Sequence, residues 1–503
     1  MSRPNILIIH TDEHRWDCLG AAGNPEIHTP HIDALARDGV WFANSFCPYP
    51  VCTPSRYSLL TGLYAHQHLG RANHSTIAPG LPTFPRLLRE AGYRTAAVGK
   101  MHMTPTYLDV GYERLTLAEQ AGPGRLDDDY HRQLQDAGLL DAIDLVDQRQ
   151  EFRAQAPPAY WETYGAMRNT LPEGWDSTSW IGARALEELR GWGAAPNLLF
   201  VGFIKPHHPF DPPASWAQRY DPEKLSLPKG WTDQTPAHDL AYHRGYFPND
   251  ELTEPAMRRV LAYYYATISQ IDHEVGRMVE HLKDRGLYDS TLIVFTSDHG
   301  DYMGDHHQIL KSGHAYESLL RVPLIIKYPG SAAAGRTDER LVSTVDMAPT
   351  LLAQAGVETP PLMSGLNLAD AEAARDMVFC EQKPGAFVAR SARYKLILLR
   401  DESESLFFDL ARDPQEFENV YHQPAYAAEI ERHRAALFRW HTFETQSPAC
   451  VDEQAHTVGG PATMEQRDRQ RQTMLHYFWN TVEWRRLSDH GADHALDTET
   501  PRG

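Results

Sequence analysis

The sequence predicts an α/β fold: a large, mostly parallel central sheet flanked by helices, with a small antiparallel sheet plus helix at the C-terminal end. Three observations predict it. Short apolar runs recur along the chain, the first ending in polar and acidic residues. Helical apolar patterns separate those runs, which is how βαβ units in a sheet covered on both faces read. Beyond about residue 375 the pattern changes to closely spaced short strands joined by turns.

The run Asn5–His10 reads as a buried strand, and Thr11-Asp12-Glu13 follows at its carboxyl end, where parallel sheets carry their functional loops. Similar runs stand at Arg94–Val98, Asn197–Ile204, Thr291–Thr296 and Val322–Tyr328. Between them, helical patterns cover Ile32–Asp38, Pro54–Thr61, Phe84–Glu90, Thr178–Trp192, Pro255–Arg285 and Met347–Gln354. Asp109–Leu171 is irregular, acidic and aromatic, and reads as an insertion over the sheet edge or pocket mouth. Met377–Glu381, Phe387–Ser391, Tyr394–Leu399 and Ser405–Asp409 read as the short antiparallel strands, and Ala425–Thr442 as the helix after them. The expected organisation is a catalytic domain over 1–375, a small α+β subdomain over 376–446 and a helical tail over 447–503. The tail's helix pattern near Met464–Arg486 holds Tyr477, Phe478, Trp479 and Trp484, too aromatic for a solvated face alone. It is expected to pack on the body or on another subunit, which would make a homo-oligomer.

Composition narrows the function. Of 503 residues, 42% are hydrophobic and 23% charged, an ordinary globular balance that excludes wholesale disorder. The net charge of −19 argues against nucleic acid or an anionic membrane as partner. No apolar run approaches the roughly 18 residues of a membrane helix. Ile6–Ile9 is too short for a signal-peptide core, so the expected location is cytoplasmic, unless a leader has been removed. Cys18, Cys47, Cys52, Cys380 and Cys450 form neither a disulfide framework nor a zinc ribbon.

The most informative stretch is Val51-Cys52-Thr53-Pro54-Ser55-Arg56. Thr53 suits an N-cap, Pro54 the first helical position, and Gly62 the end of a short helix. Cys52 is then placed just ahead of a helix N-terminus, where free N–H groups favour negative charge. Arg56, about one turn on, can reach the same point. Elsewhere Asp12, Glu13, Asp298 and His299 stand at two strand ends that a parallel sheet can bring together. Several carboxylates suit a hard divalent ion, and one histidine among them leaves room for manganese.

Cys52-x-Pro54-x-Arg56 followed by Leu59-Leu60-Thr61-Gly62 resembles the signature of type I sulfatases in the alkaline phosphatase superfamily. The resemblance runs over about residues 4 to 445 and includes Leu406–Leu410, Asp413-Pro414 and Glu418-Asn419. It implies that Cys52 is oxidised to formylglycine by a maturation enzyme. It also implies a divalent metal held by Asp12, Glu13, Asp298 and His299, most simply Ca²⁺, with Mn²⁺ or Mg²⁺ as alternatives. The family's first acidic pair is usually Asp-Asp, so Glu13 departs from it. Gly99-Lys100-Met101-His102 is similar to the family's Gly-Lys-x-His, in which Lys binds sulfate and the nucleophile and His assists turnover. Pro206-His207-His208-Pro209-Phe210 is similar to Pro-His-x-Pro-Phe, which assigns the ester-oxygen contact to His207. Lys311 precedes Tyr316-Glu317 as in the family, and Asn73 is a further candidate oxygen contact. His306, His307 and His314 are expected to line the pocket or shape its loop.

The resemblance implies in-line attack on sulfur by a formylglycine diol, with Lys100, Lys311 and the metal balancing charge on the nonbridging oxygens. His207, with Lys311, serves the leaving oxygen, and His102 helps the diol expel sulfate. The expected substrate is a small sulfate ester, whose aryl, choline, carbohydrate or alkyl group the sequence leaves open. A phosphonate monoester or phosphodiester hydrolase of the same superfamily is the near alternative. A Zn₂ phosphatase fits less well, since it calls for Ser or Thr at the nucleophile. A silent binding relative is at odds with the intact set Cys52, Arg56, Lys100, His102, His207 and Lys311.

Overall fold

The computed structural model describes residues 3–78, 80–119, 128–140, 156–242, 245–311, 313–382 and 385–445. The large sheet is built from β1 (Asn5–Asp12), β2 (Val40–Phe46), β3 (Arg94–Gly99), β4 (Arg114–Leu117), β5 (Asn197–Pro206), β6 (Thr291–Ser297), β7 (Leu324–Lys327) and β8 (Arg336–Ser343). Their order is β4-β3-β5-β1-β6-β7-β2-β8. β1 lies at the centre, parallel to β5 with Ile6 opposite Leu198, and parallel to β6 with Ile6 opposite Leu292.

Strand alternation sorts the core into two halves. Ile6 and Ile8 face one side, where they share a cluster with residues of α2 (Cys52–Thr61), α3 (Phe84–Glu90) and α6 (Met347–Gln354). Leu7 and Ile9 face the other, with α1 (Pro30–Asp38), α4 (Ser177–Arg190) and α5 (Glu254–Asp284). Each such buried aliphatic side chain contributes about 1.5–3 kcal/mol. A continuous apolar run is therefore what the central strands require, because neither face meets water.

The second sheet is antiparallel, in the order β12-β11-β10-β9, from β9 (Met377–Gln382), β10 (Ala386–Ser391), β11 (Tyr394–Leu399) and β12 (Leu406–Asp409). α7 (Ala427–Arg439) buries Ile430 and Leu437 in the cluster holding Leu396 and Phe407, and a π-helical turn, Trp440–Glu444, follows it.

Three strands depart from the sequence reading. β4 and β8 are the edges of the large sheet, and the charged first half of β8 is mostly exposed. β2, between β7 and β8, carries polar Asn44 and Ser45. None of the three makes a long apolar run, so periodicity does not reveal them. β4 also corrects the reading of Asp109–Leu171, since its start joins the sheet beside β3. The run Val322–Tyr328 contains β7, which is antiparallel to both β6 and β2. The expected tail helix near Met464–Arg486, and any subunit contact it makes, lie outside the described residues. Among the described residues no helix is long and apolar enough to cross a membrane.

Candidate active site

The site collects at the carboxyl ends of β1, β3, β5 and β6. Cys52 arrives from α2, which begins at Cys52 itself with Val51 in the capping position. The expected Thr53 cap is thus displaced by two residues. The Thr53 hydroxyl instead donates to the carbonyl oxygens of Asn73 (3.1 Å) and His102 (2.9 Å), tying the helix start to both neighbouring loops. Gly62 ends the helix as expected, its N–H donating to the Ser58 carbonyl.

Cys52 is fully buried. Its Sγ lies 3.6 Å from Asp12 Oδ1, 3.3 Å from His299 Nε2 and 3.5 Å from Lys311 Nζ. Arg56, one turn along, donates Nη2 to Asp12 and Nε to Asp298, both at 2.9 Å, and Nη1 to the Lys100 carbonyl at 2.7 Å. One guanidinium therefore spans the ends of β1, β3 and β6. Lys100 adds a second cation, its Nζ 2.7 Å from Asp12 Oδ2. Burial works against the Asp12 carboxylate, but Lys100 and then Arg56 hold it well below the usual carboxylate range. Asp298 is raised, by burial and then by Asp12. The Cys52 thiol is pushed up by burial and then by Asp12.

Asp12, Asp298, His299 and residue 52 each offer a ligand atom, all within 4.8 Å of one another. The donor chemistry fits a divalent cation. His299 Nδ1 is 2.8 Å from the Gly300 carbonyl, which can only accept, so the Nε2 lone pair is turned inward. The two carboxylates supply hard oxygen ligands. Glu13 goes elsewhere. Its backbone is left-handed (φ 64°), and its N–H donates to Asp298 Oδ1 at 3.1 Å. Its own carboxylate groups with His207 and His208 and accepts from Lys311 Nζ at 3.0 Å.

His207 sits just past β5, its Nδ1 2.6 Å from the His208 carbonyl and its Nε2 3.0 Å from Lys311 Nζ. Burial and then Lys311 keep it well below its ordinary value. His208 stacks on His207 at 4.5 Å between centroids and faces Tyr246 at 5.0 Å. His102 is buried with neither ring nitrogen hydrogen-bonded. Asn73 is nearby, its amide oxygen accepting the Thr53 N–H at 3.2 Å. His306, His307 and His314 fix the loop after β6: their rings meet Asp239, the Thr232 carbonyl and the His238 carbonyl respectively.

Sequence reasoning missed Glu119. Its buried carboxylate accepts the N–H groups of Met101 and His102 at 2.9 Å, and burial pushes its pKa up to about 7. It fixes the Lys100–His102 turn. Its only signal was a position just after β4, itself unread.

A cysteine at a helix start, acids from the ends of β1 and β6 and two converging lysines, carried by an open α/β sheet, make up a hydrolase site whose Asp12, Cys52, Asp298 and His299 form a group able to hold a metal. The chain belongs to the sulfatase family of the alkaline phosphatase superfamily: the "Sulfatase" family model matches residues 4–357, and "N-sulphoglucosamine sulphohydrolase, C-terminal" matches 304–441. It is 29% identical over 472 residues to an arylsulfatase of Clostridium perfringens, covering 87% of this chain and 94% of that one. It is 30% identical over 503 residues to the multifunctional alkaline phosphatase superfamily protein PehA of Trinickia caryophylli, covering 88% and 95%. In fold it is similar to the phosphonate monoester hydrolase of Agrobacterium radiobacter, with a TM-score of 0.73 and 26% identity over 87% of this chain and 95% of that one.

Proposed function

We propose that this sulfatase-family hydrolase cleaves sulfate monoesters, releasing inorganic sulfate and an alcohol or phenol, with formylglycine made from Cys52 by a maturation enzyme as nucleophile. Asp12, Asp298 and His299 would hold the divalent ion, Ca²⁺ in the first instance. The bound ion supplies Lewis-acid charge beside the nucleophile. The formylglycine supplies a second hydroxyl through which sulfate can be expelled without water attacking sulfur.

The remaining work falls to this chain's side chains. Arg56 fixes Asp12 and Asp298 relative to the start of α2. Lys100 and Lys311 present ammonium groups to the nonbridging oxygens of the ester, where they stabilise charge. His207 donates its Nδ1–H to the His208 carbonyl, so its Nε2 accepts from Lys311. The proton nearest the leaving oxygen is then on Lys311, and His207 orients it. His102, buried and unbonded at both nitrogens, is the base for the second hydroxyl.

The observation that carries this reading is the pair of lysines: Lys311 Nζ 3.5 Å from Cys52 Sγ, and Lys100 Nζ 2.7 Å from Asp12. Both put positive charge beside residue 52, which suits the three equivalent nonbridging oxygens of a sulfate monoester. The second reading, a phosphonate monoester or phosphodiester hydrolase, draws on the fold similarity to such an enzyme and on the likeness to a multifunctional relative. The deciding experiment measures kcat/KM for matched aryl sulfate and aryl phosphonate esters on wild type and Lys100→Ala, with the state of residue 52 checked by peptide mass. The sulfate should be preferred, and Lys100→Ala should lose most of that rate. A faster phosphonate reaction selects the second reading, and full sulfate activity in Lys100→Ala removes the ground on which the first one rests.

A further inference from the structure

We infer that His238, Asp239 and His306 form a second metal site, of the zinc type, behind the loop that carries Lys311. It is separate from the acidic cluster at Cys52 and differs from it in chemistry, with two imidazoles and one carboxylate in place of two carboxylates and one imidazole.

The three ligand atoms lie within 4.8 Å of one another. Asp239 is fully buried and His306 is 1% exposed. His306 Nδ1 is 2.9 Å from Asp239 Oδ2, and His238 Nε2 is 3.5 Å from the same oxygen. Proton accounting makes this arrangement informative. His306 Nε2 lies 2.8 Å from the Gln415 carbonyl, which can only accept, so Nε2 carries the hydrogen. In the neutral ring, Nδ1 is then a lone pair aimed at a carboxylate oxygen. Two acceptors at 2.9 Å need a positive species between them.

A proton is one candidate. Burial opposes it, but the hydrogen bond to Asp239 raises His306 above its ordinary value. A proton on His306 would nevertheless leave His238 Nε2 as it stands, a buried nitrogen with no hydrogen-bond partner, pointing at the same carboxylate. A cation bound by all three satisfies both rings at once.

The surroundings suit a metal site. Tyr316 Oη donates to Asp239 Oδ1 at 2.9 Å and Oδ2 at 3.0 Å, and its ring stacks on His306 at 3.8 Å. The carbonyl behind His306 and the phenol behind Asp239 are the kind of outer partners that orient ligands. His314, whose Nε2 donates to the His238 carbonyl at 3.3 Å, braces the His238 backbone. Two imidazoles and a carboxylate favour Zn²⁺ over Ca²⁺. The ion would pin the loop holding His306 and Lys311 to the segment 237–242, and so hold Lys311 near Cys52.

The test is metal content of the full chain after equilibration with Zn²⁺ and exhaustive dialysis, on wild type, His238→Gln, His306→Gln and Asp298→Asn. One zinc per chain should persist in Asp298→Asn and be lost in both histidine variants. Zn²⁺ should also raise the melting temperature of wild type and Asp298→Asn but not of His238→Gln. Should His306→Gln fail to fold, His238→Gln, altered at the more exposed ligand, carries the comparison alone. A wild type that retains no zinc, or zinc that survives in His238→Gln and disappears only in Asp298→Asn, overturns the site and leaves a protonated His306–Asp239 pair.

Discussion

Glu13 and Lys311 form a buried ion pair, Oε1 to Nζ 3.0 Å, with the same Nζ 3.5 Å from Cys52 Sγ. Burial acts against the Glu13 carboxylate, and Lys311 then brings it below its ordinary value. The side chain has turned from the Asp12–Asp298–His299 cluster toward Lys311. An aspartate is one methylene shorter. The extra length of Glu13 therefore has a use in this site: it aims Lys311 at Cys52 and His207.

The metal prediction follows. Asp298→Asn should weaken divalent-ion affinity at least tenfold, because it removes a charged ligand and one arm of the Arg56 bridge. Glu13→Gln should change that affinity less and lower kcat instead, by releasing Lys311. Metal titration by calorimetry beside steady-state kinetics separates the two effects. Equal affinity losses would return Glu13 to the ligand set.

Replacing the nucleophile is the second test. Cys52→Ala should abolish turnover, with kcat down by several orders of magnitude, while the circular dichroism spectrum and metal binding through Asp12, Asp298 and His299 persist. Cys52→Ser should be nearly as inactive, since an unmatured serine offers one hydroxyl and no diol. Activity retained in Cys52→Ala with metal bound would rule out formylglycine chemistry.

Much of this was legible in the sequence because apolar runs and strand-end residues coincide. Ile6–Ile9 marks the central strand, and Asp12 lies at its end. The start of α2 was read two residues late, because Thr53-Pro54 looks like a cap, whereas Thr53 is engaged by Asn73 and His102. Glu119 and Asp239 were not readable at all. Each is a lone acid in an irregular stretch, and only tertiary contact with His102 or His306 gives it meaning.

Acid stability offers a third test. Glu317 lies between Arg390 (3.3 Å) and Lys395 (3.5 Å) of the small sheet. Burial raises it, but Arg390, Lys395 and Arg321 bring it down to about 2. Its folded-state value lies below its unfolded one, so its contribution is present above about pH 4.5 and fades as pH falls toward 2. Glu416, sharing Lys395, is raised and offsets part of this. Glu317→Gln should therefore be less stable than wild type at pH 7, with the gap closing below pH 4 in urea melts. A gap that stays constant from pH 7 to 3 would show that the loss is one of packing.

The last prediction concerns Gly99, at the turn from β3 into Lys100. Its φ is 87°, and a Cβ there would come 2.1 Å from the Gly202 carbonyl oxygen on the adjacent strand β5. That carbonyl also accepts the Lys100 N–H at 2.7 Å. A methyl group cannot enter without parting β3 from β5 or turning Lys100. Left-handed backbone with a Cβ costs about 1–2 kcal/mol, and overpacking against fixed backbone a further 1–3 or so. Gly92 is the matched control: its φ is 93° but nothing lies within 4 Å of its Cβ position. Gly92→Ala should lower the melting temperature slightly and leave kcat/KM unchanged. Gly99→Ala should lower it by several degrees and cut kcat/KM at least tenfold, because Lys100 Nζ no longer reaches Asp12. If the two variants behave alike in activity, the close approach of β3 to Gly202 does not position Lys100.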